Sequence, residues 1–533
     1  MLWPLAWMGW LSLQRWTGYG PSSFDGVANF GGLLADPLFQ TSLGHSLLWE
    51  LCAAVLAPAL GFGLALLGQR AKGPSIGLFF FPLLLPGTVV ASIWTLVYSP
   101  LSGLVDGAIG MVGLPAVDWL GDPKLAGGAL FAAWLWSALG ASVLVCAVGL
   151  RSIDQEYLDL ATVEGAGRRQ RFRYVIFPGM RRALAFSSVI SVALAWQVFD
   201  LVFATTGGGP GYATMLLPVD LYGRAFGGQT GEAAAEGALM ALLGLALAAA
   251  ALWFLRGSPS LDLGEHTRQE RSAALPSWMM AAAAAIFILP LAWLARALFL
   301  PGRALALGNA GFDPAAVPAN LRTVWSSGLP SAVGLSLEMG LAVATLTVAL
   351  AIPAAFALSR IKTRIRWAAL ALLLVGLFQP TSVTIIPLFT LLKQFGLLDE
   401  PWGVLLPEAA RVVPFATLLI WGYLAGSPRE VFEAASSDGA SAWQQLRYLA
   451  VPLAKPALLA AAAWAFITSW NEFLLPTLVS QDGGLQTVPT LLGSFVGAYD
   501  TQYGALAAGA LIALLPPLLL LLLFRAVVSA GAR

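Results

Sequence analysis

Residues 153–178 read IDQEYLDLATVEGAGRRQRFRYVIFP, and residues 427–452 read SPREVFEAASSDGASAWQQLRYLAVP. Shifted by 274, the two align without a gap. Eight of the 26 positions are identical: Glu156/Glu430, Ala161/Ala435, Gly165/Gly439, Ala166/Ala440, Gln170/Gln444, Arg173/Arg447, Tyr174/Tyr448 and Pro178/Pro452. Asp159/Glu433 and Glu164/Asp438 keep their charge. The register continues downstream, where Trp196-Gln197-Val198-Phe199 meets Trp470-Asn471-Glu472-Phe473. GALMALL at residues 237–243 then meets GALIALL at 509–515, with a shift of 272. Self-similarity over this distance reads as a tandem duplication.

The surroundings of the two loops are apolar. Of 533 residues, 58% are hydrophobic and 11% charged, with mean hydropathy +0.78. Soluble domains carry roughly 25% charged residues, so lipid must be part of the solvent of this chain. Apolar runs fall at about 43–68, 76–98, 126–150, 183–205, 234–255, 275–299, 333–358, 367–391, 403–424, 457–478 and 504–526. Residues 1–13 are apolar but shorter than the roughly 20 residues a span needs. They lack the basic start and cleavage site of a signal peptide and read as a first helix that begins upstream of Met1. The expected fold is an all-α polytopic membrane protein of about 12 transmembrane helices in two parallel six-helix repeats, residues 1–256 and 275–533, joined by a polar tether at 257–274. Pro58, Pro86, Pro353 and Pro380 lie inside the runs, as membrane helices tolerate.

Basic residues set the orientation. With a cytoplasmic N-terminus, 21 of the 29 Lys and Arg fall on inner loops and termini, and residues 479–503 have none. That bias places both termini and both copies of the loop in the cytoplasm. Even-numbered halves enter the membrane in the same sense, giving a pseudo-two-fold axis along the membrane normal.

The loop itself predicts an elbow. Ala161 in one copy, with Ala434 and Ala435 in the other, suits a short helix, and Glu156 or Glu430 lies near its positive N-terminal end. Gly165 and Gly439 permit a sharp turn. A second short helix follows, and Pro178 or Pro452 is expected to stop it. A single such loop reads as a solvated basic connection. Two at matched spacing fit two equivalent sites on a dimeric cytoplasmic partner.

Glu433-Ala434-Ala435, Asp438-Gly439-Ala440 and Pro452, after the fourth span of a six-span unit, resemble the coupling loop of ABC importer permeases. In the first copy Asp159-Leu160-Ala161 and Glu164 depart from that pattern, which implies looser docking of that half. Phe199-Asp200 with Thr206-Gly207-Gly208-Gly209-Pro210, and Asp118-Trp119-Leu120-Gly121-Asp122-Pro123, resemble the first permease of carbohydrate and glycerol-phosphate importers. Trp470-Asn471-Glu472-Phe473 and Pro318-Ala319-Asn320-Leu321 resemble the second permease of the same systems. The resemblance implies a fused permease working with two cytoplasmic ATPase subunits, which bind the ATP and Mg, and with an extracytoplasmic solute-binding protein. No G-x-x-x-x-G-K-[ST] stretch occurs, so no phosphate cradle of that kind is encoded and no cofactor is expected in this chain.

Polar side chains inside spans point to function or to helix–helix adhesion. Gln197 and Asp200 in one repeat, and Asn471 and Glu472 in the other, flanked by Trp196, Phe199, Trp470 and Phe473, are the candidate solute pathway. Aromatic faces beside hydrogen-bonding groups suit a sugar. Glu50 and Glu338 occupy non-equivalent positions and read as structural or near the outer surface. A net charge of +1 argues against nucleic acid. Cys52, Cys146, His45 and His266 are too scattered for a metal centre. Importers of ferric iron, thiamine or polyamine are alternatives within the same class. An ion-driven twelve-span transporter is another, although Gln69-Arg70-Ala71-Lys72-Gly73-Pro74-Ser75 lacks the basic signature usual there.

Overall fold

The computed structural model describes residues 2–68, 79, 81–100, 103–256, 277–301, 312–361, 364–496 and 502–520. The tether at 257–274 and the inner loop holding Arg70 and Lys72 lie outside the described residues. The fold is all-α, and the described strands are the two-residue pair Gln14–Arg15 and Ser23–Phe24. Among the described residues seven helices are long and apolar enough to cross a membrane, or up to nine if each of two bent pairs is one span. Pro37–Gly68 and Leu329–Arg360 are the longest, at 32 residues each.

Proline acts differently from site to site. Pro58 sits inside Pro37–Gly68 without breaking it. Its ring removes the N–H that would bond the Ala54 carbonyl, and the Ser188 hydroxyl donates to that carbonyl instead, at 2.8 Å. Pro380 does interrupt the expected span 367–391. Arg364–Leu377 and Thr381–Gln394 meet there at 95°, because Pro380 is extended (φ −62°, ψ 149°) and bars the helix from the residue before it.

The chain packs as two compact units. One holds Gly31–Gly223 and Ala249–Val317; the other holds Met1–Phe30, Arg224–Ala248 and Pro318–Arg533. In the first, Pro37–Gly68, Ala126–Arg151 and Phe177–Ala195 form a three-helix core. Small residues allow their close approach: a Cβ on Gly61 would lie 2.6 Å from the Ser142 Cβ, and Ser142 bonds Ser191 at 3.1 Å. Ser277–Ala297, from the second repeat, joins this unit, and the Trp136 indole donates to the Phe287 carbonyl at 2.9 Å.

The second unit repeats the plan with Leu329–Arg360, Pro401–Ala425 and Lys455–Trp470. Gly340 lies against Phe466, and Ala351, Ala355, Ala416 and Ala461 fill the shared core. Two pieces of the first repeat belong to it. Leu2–Leu11 packs on Ile385–Gln394, and the Gln379 amide donates to the Ala241 carbonyl at 3.2 Å. The duplicated halves are thus not the packing units, since each unit takes terminal helices from the other repeat. A serine anchors each unit alike: Ser46 accepts the Leu217 N–H and Ser336 the Val488 N–H, both at 2.9 Å.

Candidate functional site

The two elbows share their backbone. Gln155–Val163 is capped by Asp154, whose carboxylate accepts the Glu156 N–H at 3.1 Å. It ends at Glu164, and Gly165 follows at φ +75°. The Ala166 N–H donates to the Ala161 carbonyl at 2.9 Å and the Gly165 N–H to Thr162 at 3.1 Å. Arg429–Ser437 ends at Asp438, with Gly439 at φ +78°. There Ala440 bonds Ala435 at 2.9 Å and Gly439 bonds Ser436 at 3.1 Å. This pair of bonds around a left-handed glycine is the Schellman ending, and it accounts for the identity of both glycines.

Exposure repeats as well. Glu156/Glu430, Asp159/Glu433, Glu164/Asp438 and Leu160/Ala434 are exposed, while Ala161/Ala435 and Ala166/Ala440 are half-buried. Gln170 and Gln444 are identical for a visible reason. Each side chain turns back to accept the N–H at the start of its own short helix, from Gly167 at 2.8 Å and Ser441 at 2.7 Å.

The prolines do not end these second helices as expected. A π-turn, Phe172–Ile176 or Leu446–Ala450, precedes each of them. Bonding there runs five residues back, from Phe177 to Phe172 and from Val451 to Leu446, which absorbs the missing proline donor. The first copy runs on as Arg168–Ala195. The second bends by 78° at Ala454, just before Pro456, whose place in the first copy is taken by Arg182.

One difference between the elbows rests on residues outside the motif. The Arg360 guanidinium lies 4.9 Å from the Phe356 ring and 4.7 Å from that of Phe432. It also donates to Gln445 Oε1 at 2.6 Å, and Gln445 Nε2 in turn donates to Ser436 and to the Ala440 carbonyl. The second elbow is thereby tied to Leu329–Arg360. In the first, the Gln445 position is Arg171, which reaches Thr162 at 3.2 Å. Arg360→Ala is expected to loosen the second elbow by about 1 kcal/mol. Amide exchange across residues 429–445 should quicken severalfold and that across 155–171 should not; equal exchange in both would remove the tie.

The solute candidates sit at interrupted helices. The expected continuous spans 183–205 and 457–478 are each split: Phe177–Ala195 gives way to Asp200–Thr205, and Lys455–Trp470 to Leu474–Val479. In the second repeat the Glu472 carboxylate accepts the Leu475 N–H at 3.2 Å, satisfying a free donor of the new helix. Broken helices of this kind line the sites of many transporters.

Most of the aromatic candidates are packing residues. Trp470 is fully buried, stacked on Phe466, with its indole donating to the Ala513 carbonyl at 3.2 Å. Phe199 is buried against Phe203 and Tyr222, and Phe473 beside Gly493. Gln197 donates to the Ala193 carbonyl of its own helix at 2.9 Å. Asp200 sits tightly against Gly87, and Asn471 is half-buried with its Oδ1 unpartnered. Trp196 borders a cavity with Ser46, Trp49 and Glu50. The indole N–H groups of Trp49 and Trp196 and Glu50 Oε2 have no partner there. Glu338 is exposed, whereas Glu50, read as structural or near the outer surface, is buried at this cavity.

Residues 57–300 and 347–532 match the family described as binding-protein-dependent transport system inner membrane component. This chain belongs to that family. It is an ABC importer permease in which the domain occurs twice. The permease is similar to the trehalose/maltose transport system permease protein MalF of Thermococcus litoralis, with 30% identity over 209 residues, 38% of this chain and 71% of that protein. It is 30% identical over 211 residues to the trehalose transport system permease protein SugB of Mycobacterium tuberculosis, covering 39% and 75%. A crystal structure of a bacterial ABC transporter involved in the import of the acidic polysaccharide alginate aligns with TM-score 0.42 and 19% identity, over 48% of this chain and 90% of that one.

Two charged residues of the permease escaped the sequence reading. Glu408 and Arg411 lie three apart in Pro401–Ala425, hence on one helix face. Arg411 forms an ion pair with Glu472, which is 8% exposed, and Glu408 is 1% exposed. The available signal was their charge within the apolar run 403–424.

Proposed function

We propose that this permease carries a sugar or sugar-like solute inward across the cytoplasmic membrane, driven by ATP hydrolysis on two separate ATPase subunits. The elbows at residues 154–167 and 428–441 are the docking knobs, and an extracytoplasmic binding protein delivers the solute. Both termini and the tether at 257–274 are cytoplasmic in this reading, which the distribution of Lys and Arg supports. ATP and Mg belong to the partner subunits. The observation that carries the proposal is the matching glycine-turned geometry of two loops 274 residues apart. The sugar assignment draws on the named substrates of the relatives.

Tagged permease, extracted in mild detergent, is expected to bring down an ATPase subunit at two copies per chain. Recovery without any ATPase overturns the docking assignment. Proteoliposomes carrying the complex and its binding protein should take up maltose or trehalose on addition of ATP; uptake of thiamine, spermidine or ferric iron in their place overturns the sugar assignment.

A further inference from the structure

We infer that Arg151, Arg181 and Arg182, at the foot of the first elbow, seat the phosphate of an anionic phospholipid from the cytoplasmic leaflet. The inference rests on the cytoplasmic placement of the elbows and adds a lipid contact to them.

Two close contacts set Arg151 level with Arg181. Gly149 packs against Ala183, and a Cβ on Gly179 would lie 3.1 Å from the Ile153 side chain. The end of Ala126–Arg151 therefore runs antiparallel to the start of Phe177–Ala195, with Arg151 opposite Arg181. Met180 and Ala183 are buried in this contact, so Arg181 and Arg182 between them on the helix point outward. All three arginines are exposed, and among the described residues none of them forms an ion pair. Asp154, the carboxylate nearest to Arg151 in sequence, is engaged in capping Gln155–Val163.

Position selects the partner. Arg151 is the last residue of one apolar span, and an apolar run begins directly after Arg182, so the cluster stands where these helices enter the bilayer. Of the seven long spans, Arg168–Ala195 is the least covered by the protein: 22% of its apolar stretch is buried, against 39–56% in the others. That open flank suits acyl chains, and exposed Tyr174 and Phe177 beside it suit the membrane interface. Guanidinium groups bond phosphate oxygens in pairs, and clustered arginine just cytoplasmic of a span attracts anionic lipid. The Gly165 turn, where a docked protein would sit, lies roughly 20 Å from Arg181 along Arg168–Ala195.

The second repeat keeps little of this charge. With the shift of 274, Ala425, Lys455 and Pro456 stand in place of Arg151, Arg181 and Arg182. Its elbow is held instead by Arg360 through Gln445, so the lipid seat belongs to the first repeat.

The test titrates the full permease in detergent with phosphatidylglycerol and, separately, with phosphatidylcholine, counting bound lipid by native mass spectrometry. Wild type is expected to bind phosphatidylglycerol about tenfold more tightly. Arg151→Gln, Arg181→Gln and Arg182→Gln together should erase that preference, and Arg182→Gln alone should lower it about fivefold if the triple variant folds poorly. Lysine at the three positions keeps the charge and should keep most of the preference. An equal preference in wild type and the glutamine variants overturns the seat. Inorganic phosphate that binds wild type as tightly and displaces the lipid also overturns it, as a free-anion site. So does loss of ATPase recovery in the triple variant with lipid preference intact, which marks a protein contact. Placement is read separately, from Val163→Cys: an impermeant maleimide should label it in inside-out vesicles and not in intact cells. Labelling from the outer face overturns the cytoplasmic placement even where the lipid preference survives in detergent.

Discussion

Replacing Gly165 and Gly439 together by proline is expected to abolish ATP-driven uptake while leaving the protein in the membrane. Both glycines sit in the left-handed region, at φ +75° and +78°. Proline fixes φ near −65° and removes the N–H that each glycine donates, to Thr162 in one elbow and to Ser436 in the other. The turn then fails at a cost of about 3 kcal/mol or more per elbow, which lowers the population of the docking geometry by about a hundredfold. The spans on either side keep their apolar burial, so insertion and yield should be near wild type. Asparagine tolerates the left-handed conformation, so Gly165→Asn with Gly439→Asn should keep more than about half of the uptake. Undiminished uptake in the proline variant would show that the elbow geometry does not transmit the work of hydrolysis.

Removing the Arg411 guanidinium is expected to be the most destabilising single change in the second repeat. Arg411→Leu strands Glu472 and leaves Glu408 beside it without a cation. Breaking a buried pair from one side costs about 3–5 kcal/mol, because a charge is left without a counter-ion in low dielectric. Yield and melting temperature in detergent should both fall. Adding Glu472→Leu removes the stranded charge and should recover more than about half of the loss. A single variant that melts within about 2 °C of wild type would show that this pair is not a structural element of the break. Glu472 then has a double duty in the fold, as partner of Arg411 and as acceptor for the Leu475 N–H.

How much of this was legible beforehand depends on the range of the interaction. The elbow was legible because its geometry is local. Glycine is the residue that reaches φ near +75° at low cost, the bonds around it span three and five residues, and Gln170 and Gln444 bond three residues back. The same local logic misjudged Pro178 and Pro452, because a π-turn upstream changes which donors are needed, and an aromatic-rich stretch such as FRYVI does not announce one. The membrane class was legible from composition, since 11% charged residues leave most of the surface to lipid.

The sequence by itself therefore determined the duplication, the all-helical membrane class, the family and the shape of both elbows, all of which follow from composition or from bonds within a few residues. The tertiary structure alone decided the rest. It decided that residues 1–30 and 224–248 pack with the second repeat, because an apolar helix settles on the apolar surface that covers it, whichever repeat supplies that surface. The serine anchors Ser46 and Ser336 lie 290 apart while the residues whose N–H groups they accept, Leu217 and Val488, lie 271 apart, so no single register of the repeat could pair them. Trp196, Glu50 and Trp49 meet at one cavity, and Glu472 meets Arg411, only because separate helices bring them together. Contacts between distant helices are set by the packing of whole faces, and a chain read one residue after another carries no record of which faces will meet.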